Sequence, residues 1–588
     1  MRYIWDCESD GFLETLTKIH CLALMNADNP LETWVFGPNE IKAGMKMLAE
    51  ATEIIGHNII CHDIPALIKV YPKFSLDGVK ITDTLVLSRL IKADLRNEDY
   101  ERNMPIEDFP RKHHGSHSLK AWGYRTGYLK GDFGEQTDWS EWTQGMQDYC
   151  ENDVVVNYAV WQELTSVEFS ERAIRFEHDM AEICHRIGNA GWHFDVDKAG
   201  ELYAQLAGEK ATLEAELKEL FPAWTQEEMF IPKRSNKRLG YVEGEPFIKS
   251  KTIHFNPNSR KHIQRCLIEK YDWKPKAFTM GGDARIDEGV LSKLPYPEAQ
   301  KLARSFLLQK RIGMLAEGNN AWLRLVDGKT LRHVINPNGA VTGRCTHFNF
   351  NAAQVPSVRA PYGVECRSLF GVPDGYSLVG SDLAGIELRC LANVLQDKGK
   401  YADIILNGDI HLANQESMQL ATRDMAKTAI YCMIYGGGDA RLGEVVGKGP
   451  KEGREIRANF MKAHPAFADL TRQLKHVVNH RRGHLVGLDG RKLHVRGHAH
   501  LNVLLQSAAA LVAKMWVKLI DQEIQKQGLD AKILSFVHDE VQIQVIKGKE
   551  EHVGHITGLM ARKAGEHFGF KIPIESEYKI GQNWSDTH

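Results

Sequence analysis

Residues 532–548, KILSFVHDEVQIQVIKG, place three ionisable side chains, His538, Asp539 and Glu540, between two β-rich runs. Val541, Ile543 and Val545 alternate with Gln542 and Gln544, which predicts a half-buried strand after the acids. Acids at the tip of a hairpin are ordinarily a solvated turn. The usual Asn-Gly or Asp-Gly turn pair is absent here, so a working role becomes the better reading. Residues 377–395, SLVGSDLAGIELRCLANVL, repeat the theme: an apolar strand runs into Asp382 and a helix starts near Gly385. An aspartate just before a helix can be a simple cap. In a third stretch, TRDMAKTAIYCMIYGGG (422–438), Arg423, Lys427, Tyr431 and Tyr435 fall on one helical arc of roughly 120°. An ordinary amphipathic helix would carry Ile or Leu there. Two cations followed by two rings can bind a triphosphate and then a base, and Gly436, Gly437 and Gly438 end the helix.

A second acidic constellation lies near the N-terminus. Asp6 and Glu8, two apart on a β-like run, share one face. By itself such a pair is usually a solvated strand end. Asp63 follows a β-like run in IIGHNIICHDIPAL (54–67), and Asp153 lies in a predicted helix, DYCENDVVVNYAVWQEL (148–164), four residues after Tyr149 and on its face. Four carboxylates drawn together repel unless cations neutralise them. That is the requirement of a two-metal phosphodiester hydrolase, with Tyr149 placed to orient a water. His113, His114 and His117 lack further Cys or His partners at zinc spacing, so no zinc site is read there.

The 588 residues exceed what one core supports, so several domains are expected. Lys and Arg number 74 against 76 for Asp and Glu, so any basic track for nucleic acid must be local. The 10 cysteines form no C-x-x-C pair, which reads as free thiols in a reducing compartment. The N-terminus has no signal-like apolar core, and the most apolar stretch, 502–520, is interrupted by Gln506, Ser507, Lys514 and Lys518. No membrane segment and a cytoplasmic location are therefore expected. Residues 1–165 alternate β-rich and helical runs, 170–225 hold two helical stretches, and helical pattern returns over 296–325. Between them, 227–253 reads as a basic, loop-like excursion carrying Lys233, Arg234, Lys237, Arg238, Lys249 and Lys251.

The three C-terminal stretches, D-x4-E-x-R, R-x3-K-x7-Y-G and H-D-E in this order, resemble motifs A, B and C of family A DNA polymerases. The likeness is nearest to the replicative polymerases of short-tailed, T-seven-like phages. D-x-E, N-x4-D beginning at Asn58, and Y-x3-D resemble the motifs of DEDDy-type 3′→5′ proofreading exonucleases. Further similar stretches are 114–127, 336–363, 407–411, 487–496 and 501–511.

The resemblance implies an α/β and α+β multidomain chain. An RNase H-like α/β exonuclease domain (1–180) would precede a right-hand polymerase domain. In that domain the thumb is 181–330 with a short basic insertion at about 227–252, the palm is 331–392 and 500–588, and the fingers are 393–499. It implies two Mg²⁺ ions per active site, with Mn²⁺ a possible substitute. Asp382, Asp539 and the Leu383 carbonyl would hold one pair, with Glu540 an auxiliary acid; Asp6, Glu8, Asp63 and Asp153 would hold the other. Arg423, Lys427 and His411 correspond to a triphosphate clamp, and Tyr431 and Tyr435 to the walls around sugar and base. Glu387 corresponds to the residue closing the space beneath C2′. Arg344, Asn351, Gln354, Gln506 and His538 correspond to duplex contacts. Minor-groove acceptors occur on every Watson–Crick pair, so donors there test pair geometry without reading sequence. Primer–template DNA and dNTPs are the implied partners, with a processivity factor and a helicase–primase as further candidates. The location would be a host's cytoplasm.

Three departures stand out. The thumb stretch is much shorter than the insertion by which such relatives dock thioredoxin, which puts that partner in question; its basic residues could instead hold duplex through phosphates. His62 replaces a usual aromatic and Phe350 a usual proline. No 5′-nuclease region is expected before Asp6. A gap-filling polymerase of the same family, a nuclease with a non-catalytic DNA-binding half, and a non-catalytic scaffold are weaker readings, because every acid and the Arg423–Lys427–Tyr431 set are kept. Tyr431 stands where family members carry Phe or Tyr, and its hydroxyl can replace a missing 3′-hydroxyl. Tyr431→Phe is therefore expected to lower the dideoxy-to-deoxy incorporation ratio in single-nucleotide extension; an unchanged ratio contradicts this role.

Overall fold

The computed structural model describes residues 1–588 apart from 239, 280 and 482, with only the backbone at 136. The chain divides into two compact units. One comprises Met1–Trp192, Arg332–Gly363 and Gly371–His588; the other comprises His193–Leu331 and Val364–Phe370.

The first unit begins with a five-stranded sheet of β1 (Arg2–Ser9), β2 (Ile19–Asn26), β3 (Thr33–Phe36), β4 (Glu53–Gly56) and β5 (Lys80–Asp83), in the order β3-β2-β1-β4-β5. β1 is antiparallel to β2 and parallel to β4. The parallel step from β4 to β5 needs a crossover, and α1 (Asp63–Val70) lies within it. α2 (Thr84–Ile91) follows directly on β5. Its cap Asp83 accepts from the Leu85 N–H and also from those of Asn58 and Ile60 at 2.9 and 3.1 Å, which fixes the turn leading to Asp63. α3 (Gln144–Thr165) carries Met146, Cys150 and Val154 into the core beneath β1 and β2. α4 (Glu171–Ala190) stops at Gly191, whose φ of 67° suits a glycine.

In the second unit, α5 (Val196–Leu220) and α6 (Pro297–Ile312) pack together, with Leu217, Leu302 and Ala303 in one core. The stretch expected to be loop-like begins and ends in a two-stranded antiparallel ribbon, β6 (Trp224–Phe230) with β7 (Phe247–Ile253), while the described residues between those strands are loop-like as expected. Cross-strand pairing of Glu228 with Lys249 offsets part of the charge that read as a loop, and Gln226 lies opposite Lys251. Residue 239 of that stretch lies outside the described residues.

Returning to the first unit, β8 (Val334–Asn336) and β9 (Thr346–Phe348) form a hairpin. A four-stranded antiparallel sheet comprises β10 (Tyr376–Leu383), β11 (Ala531–Val537), β12 (Glu540–Ile546) and β13 (Ser576–Gly581), ordered β11-β12-β10-β13. β12 is buried on both faces rather than half-buried. Gln542 is 1 % exposed because Thr587 covers it, donating to its Oε1 at 2.9 Å. Helices α7 (Ile386–Val394), α8 (Ile410–Met418), α9 (Arg423–Ile434), α10 (His500–Lys526) and α11 (Glu550–His567) are among those of this half. α10 is long and apolar enough to cross a membrane by length and composition, but 78% of its most apolar window is buried within the protein.

A buried ionic network ties these parts together. Glu177 on α4 accepts from Arg491 at 2.5 Å and from Lys514 on α10 at 2.7 Å. Arg491 also bonds Asp489 and donates to Asn338 at 3.2 Å, and Asn338 donates to the Arg89 carbonyl on α2 at 2.9 Å. Gly343 permits the approach: its φ is +79° and a Cβ there would lie 2.6 Å from an Arg491 nitrogen. Removing one carboxylate from such a set leaves buried charge uncompensated. Glu177→Leu is expected to cost about 3–5 kcal/mol in denaturant unfolding of this region, whereas a surface change costs under about 0.5 kcal/mol.

Candidate active site

Two acidic clusters form in the first unit. In the larger sheet, Asp382 ends β10, opposite Glu540 of β12 and Glu577 of β13. Asp539 occupies the two-residue turn between β11 and β12, and its carbonyl accepts the Leu383 N–H at 3.0 Å. The register thus draws 382 and 539 together across more than a hundred residues of chain. His538, first in that turn, holds a φ of 58°, the left-handed conformation that favours Gly or Asn. A strained residue kept at a turn flanked by acids is an expense that structure alone does not require.

Desolvation, then repulsion by Asp539, Glu540 and Glu387, pushes the Asp382 carboxyl up to about 8. Its open face to solvent tempers the desolvation, so the crowding of acids is the firmer cause. Desolvation and Glu387 raise Asp539 to about 6. Glu540 is buried, and its carboxylate accepts from Trp584 at 2.5 Å and Gln542 at 2.7 Å, with His588 3.4 Å away. It contributes charge near Asp382 while the C-terminal segment holds it.

Glu387, on the first turn of α7, is gripped by Arg344 at 3.1 Å and by the Tyr435 hydroxyl at 3.0 Å. The expected face of α9 is present: Ala426, Ala429, Ile430 and Met433 are buried, leaving Arg423, Lys427, Tyr431 and Tyr435 on the other side. Tyr431 and Tyr435 stack at 6.1 Å, and the His411 ring is 6.5 Å from Tyr431. Arg423 pairs with Asp409 at 2.7 Å, the cap of α8; Lys427 is exposed. Of the expected duplex contacts, Asn351 caps a short helical turn through Ala353, Gln354 is exposed, and Gln506 is half-buried on α10.

The N-terminal cluster is more enclosed. Asp6 and Glu8 share a face of β1; Asp63 opens α1 and accepts from the Cys7 thiol at 3.4 Å. Asp153 reaches in from α3, and the Cys150 thiol approaches the Asp6 carbonyl at 3.5 Å. Asp6, Glu8 and Cys150 form the one potential metal-ligating group of this kind among the described residues. Desolvation raises Asp6 and Glu8 well above the carboxylate range, with neighbouring acids adding to it, and raises Asp63 as well. Asp153 is pushed up to about 6 by desolvation, with Lys130 opposing. The three histidines of 113–117 do not converge: His117 bonds Ser88, His114 faces the Phe109 carbonyl and His113 stacks on Tyr124.

Sequence reasoning passed over Lys130. It pairs with Asp153 and sits 4.8 Å above the Tyr149 ring. Burial would lower its ammonium, but Asp153 and Asp6 outweigh that and hold it above the ordinary range. It lies in a glycine-rich loop just past 114–127, where no periodicity marks it. Lys130 engages one Asp153 oxygen, and the other, Oδ1, is buried without a hydrogen-bond partner. A buried, unpaired carboxylate oxygen among other carboxylates fits a hard divalent cation.

Against known proteins, residues 232–586 match the model of DNA polymerase family A. The chain is 34% identical over 707 aligned residues to the DNA-directed DNA polymerases of Enterobacteria phage T3 and Escherichia phage T7, covering 99% of this chain and 99% of each relative. Because 707 exceeds the 588 residues here, those relatives carry segments this chain lacks. Among solved structures, the POL domain of Pol1 from M. smegmatis, in complex with DNA primer-template and dNTP, aligns with a TM-score of 0.73 at 17% identity, covering 99% of this chain and 95% of that one. The chain belongs to DNA polymerase family A. It is similar to the T3 and T7 phage polymerases across nearly its whole length.

The raised carboxyl of Asp382 carries a stability consequence. Its folded value, about 8, exceeds the 3.8 of a free aspartate, so the folded state binds the extra proton between these limits. Stability is full below about pH 4 and declines as pH rises towards 8. Asp382→Asn is thus expected to raise the melting temperature in chelator at pH 8, with the gain shrinking towards pH 5 and little stabilisation left on adding Mg²⁺. A lower melting temperature at pH 8 contradicts the crowding.

Proposed function

We propose that the chain is a template-directed DNA polymerase with a 3′→5′ proofreading exonuclease, acting on primer–template DNA and dNTPs as a phage replicative enzyme in the host's cytoplasm. The observation that carries the reading is the presence of two separate carboxylate clusters, in each of which burial and mutual repulsion push carboxyls above their ordinary range. The exonuclease domain is assigned to 1–180, the thumb to 181–330, the palm to 331–392 and 500–588, and the fingers to 393–499.

Asp382, Asp539 and the Leu383 carbonyl are the ligands assigned to two Mg²⁺ ions in one cluster, and Asp6, Glu8, Asp63 and Asp153 in the other. When bound, such ions neutralise developing oxyanion charge and make a hydroxyl or water nucleophilic at neutral pH. The chain's own residues position the reactants. Lys427 and His411 meet the triphosphate, and Arg423 joins them on exchanging Asp409 for phosphate oxygens, a bidentate match of similar geometry. Tyr431 and Tyr435 bound the sugar and base. Glu387, fixed by Arg344 and Tyr435, fills the space where a ribose 2′-hydroxyl would sit, which favours deoxynucleotides. Arg344, Asn351, Gln354, Gln506 and His538 face the duplex, and the lysines of the β6–β7 ribbon add phosphate contacts. In the second cluster Tyr149 orients the attacking water and Lys130 steadies Asp153. A helicase–primase and a processivity factor remain natural partners for a replicative enzyme; a thioredoxin dock is not assigned.

Primer extension and single-strand degradation, measured on the same variants, test the assignment. Asp539→Ala is expected to abolish synthesis while degradation persists, and Asp6→Ala to do the reverse. Loss of both activities from either change contradicts two sites.

A further inference from the structure

Helix α2 and the loop after β8 border an open cavity of about 250 Å³ whose walls are mainly polar, with Leu95 and Val341 among the apolar residues lining it. Arg89, Arg96 and Arg496 line it, with Asp94, His117 and Asn338. Arg496 is paired with Asp94. Arg89 is half-buried, and among the described residues its guanidinium makes no ion pair or side-chain hydrogen bond; burial lowers its basicity, with Asp83 and Cys61 opposing. Arg96 is exposed and equally unpaired. Gly115 holds its stem in place: φ is +75°, and a Cβ there would lie 2.7 Å from the Arg96 Cβ. Desolvation and Arg89 push His117 down to about 3, so it stays neutral. Among the lining residues three guanidinium groups face one carboxylate, an excess of two positive charges that Asp83, behind Arg89, offsets only in part.

A half-buried cation without a partner is costly, and an anion with several oxygens is what offsets it. Ligand pockets for whole small molecules usually run from about 300 to 1,000 Å³, so this one holds a phosphate with part of a sugar rather than a nucleoside triphosphate. No Phe, Tyr or Trp lines it to stack on a base, which points to backbone contact without sequence preference. Its place in the chain supplies the rest. Arg89 is on the helix whose cap, Asp83, braces the turn leading to Asp63 in the N-terminal cluster. The facing loop, from Asn336 to Val341, leads within three residues to Arg344, which bonds Glu387 beside the other cluster.

We propose that this cavity binds a backbone phosphate of the single-stranded 3′ segment of the primer while that segment spans the two clusters. The proposal rests on the exonuclease assignment above, and its test separates the two. In the first arm, wild type, Arg96→Ala and Arg89→Gln are compared for binding, by fluorescence anisotropy across a KCl series, to a primer–template with four mismatched 3′ nucleotides and to a fully paired duplex. Arg96→Ala is expected to reduce the slope of log affinity against log salt by about 0.7 on the mismatched substrate alone. Arg89→Gln is expected to act in the same direction. An equal change on both substrates, or none on the mismatched one, overturns the proposal. So does loss of inorganic phosphate binding with mismatched-DNA binding unchanged, which would mark a free-anion site. In the second arm, excision of the mismatched end is divided by hydrolysis of the p-nitrophenyl ester of thymidine 5′-monophosphate, which has no further backbone phosphate to seat in the cavity. The ratio is expected to fall several-fold in Arg96→Ala, and an unaltered ratio overturns the proposal. If wild type cleaves neither substrate, the exonuclease assignment fails while the binding arm still decides the cavity.

Discussion

Glu177 is a buried carboxylate shared by two buried cations, Arg491 and Lys514, and much of the first unit is organised around it. Each ion was taken out of water at a cost of several kcal/mol, and only close, multiple hydrogen bonds recover it. The consequence is geometric. Arg491 has few positions that satisfy Glu177, Asp489 and Asn338 at once, and Asn338 in turn holds the backbone of α2. The sheet bearing Asp6 and the sheet bearing Asp382 are thereby tied to a common anchor. An apolar contact of equal area would stick as well but would tolerate sliding.

At both acidic clusters the protein accepts local instability. Asp382 on β10 lies beside Asp539 in the adjoining turn and opposite Glu540 on β12, and Asp6, Glu8, Asp63 and Asp153 crowd a largely dry site. Lys130 relieves part of the second cluster, whereas the first has no lysine in that position and relies on exposure and on Arg344 nearby. The enclosed cluster is thus partly neutralised in advance, and the open one is left to its cations. Under the proposed function, that difference suits a site closed around a frayed strand end and another that must admit a fresh triphosphate at every cycle.

The strand alternation around Asp6, the Asp382 strand end and the α9 arc were legible because periodicity and charge coincide there. Tyr431 and Lys427 could be assigned to one face from spacing alone. What was not legible depends on distant pairing. The stretch around 227–253 read as a loop because its lysines hide the cross-strand glutamate and glutamine partners. Gln542 looked solvent-facing because Thr587, which covers it, is 45 residues away. Lys130 and Arg89 carry no local pattern at all. The importance of each arises from what burial withholds from it, which only coordinates display.

The order of strands in the larger sheet bears on how the molecule is made. β10 is flanked by β12 and β13, so it gains neither neighbour until nearly the entire polypeptide has left the ribosome. The N-terminal sheet needs only its first 83 residues and can close early. From the synthesis of Leu383 until that of Glu540 the nascent chain therefore carries an apolar strand, Tyr376–Leu383, with both edges bare. The aspartate and the glycine within it are the chief features that keep such a strand from pairing with a copy of itself on a neighbouring ribosome.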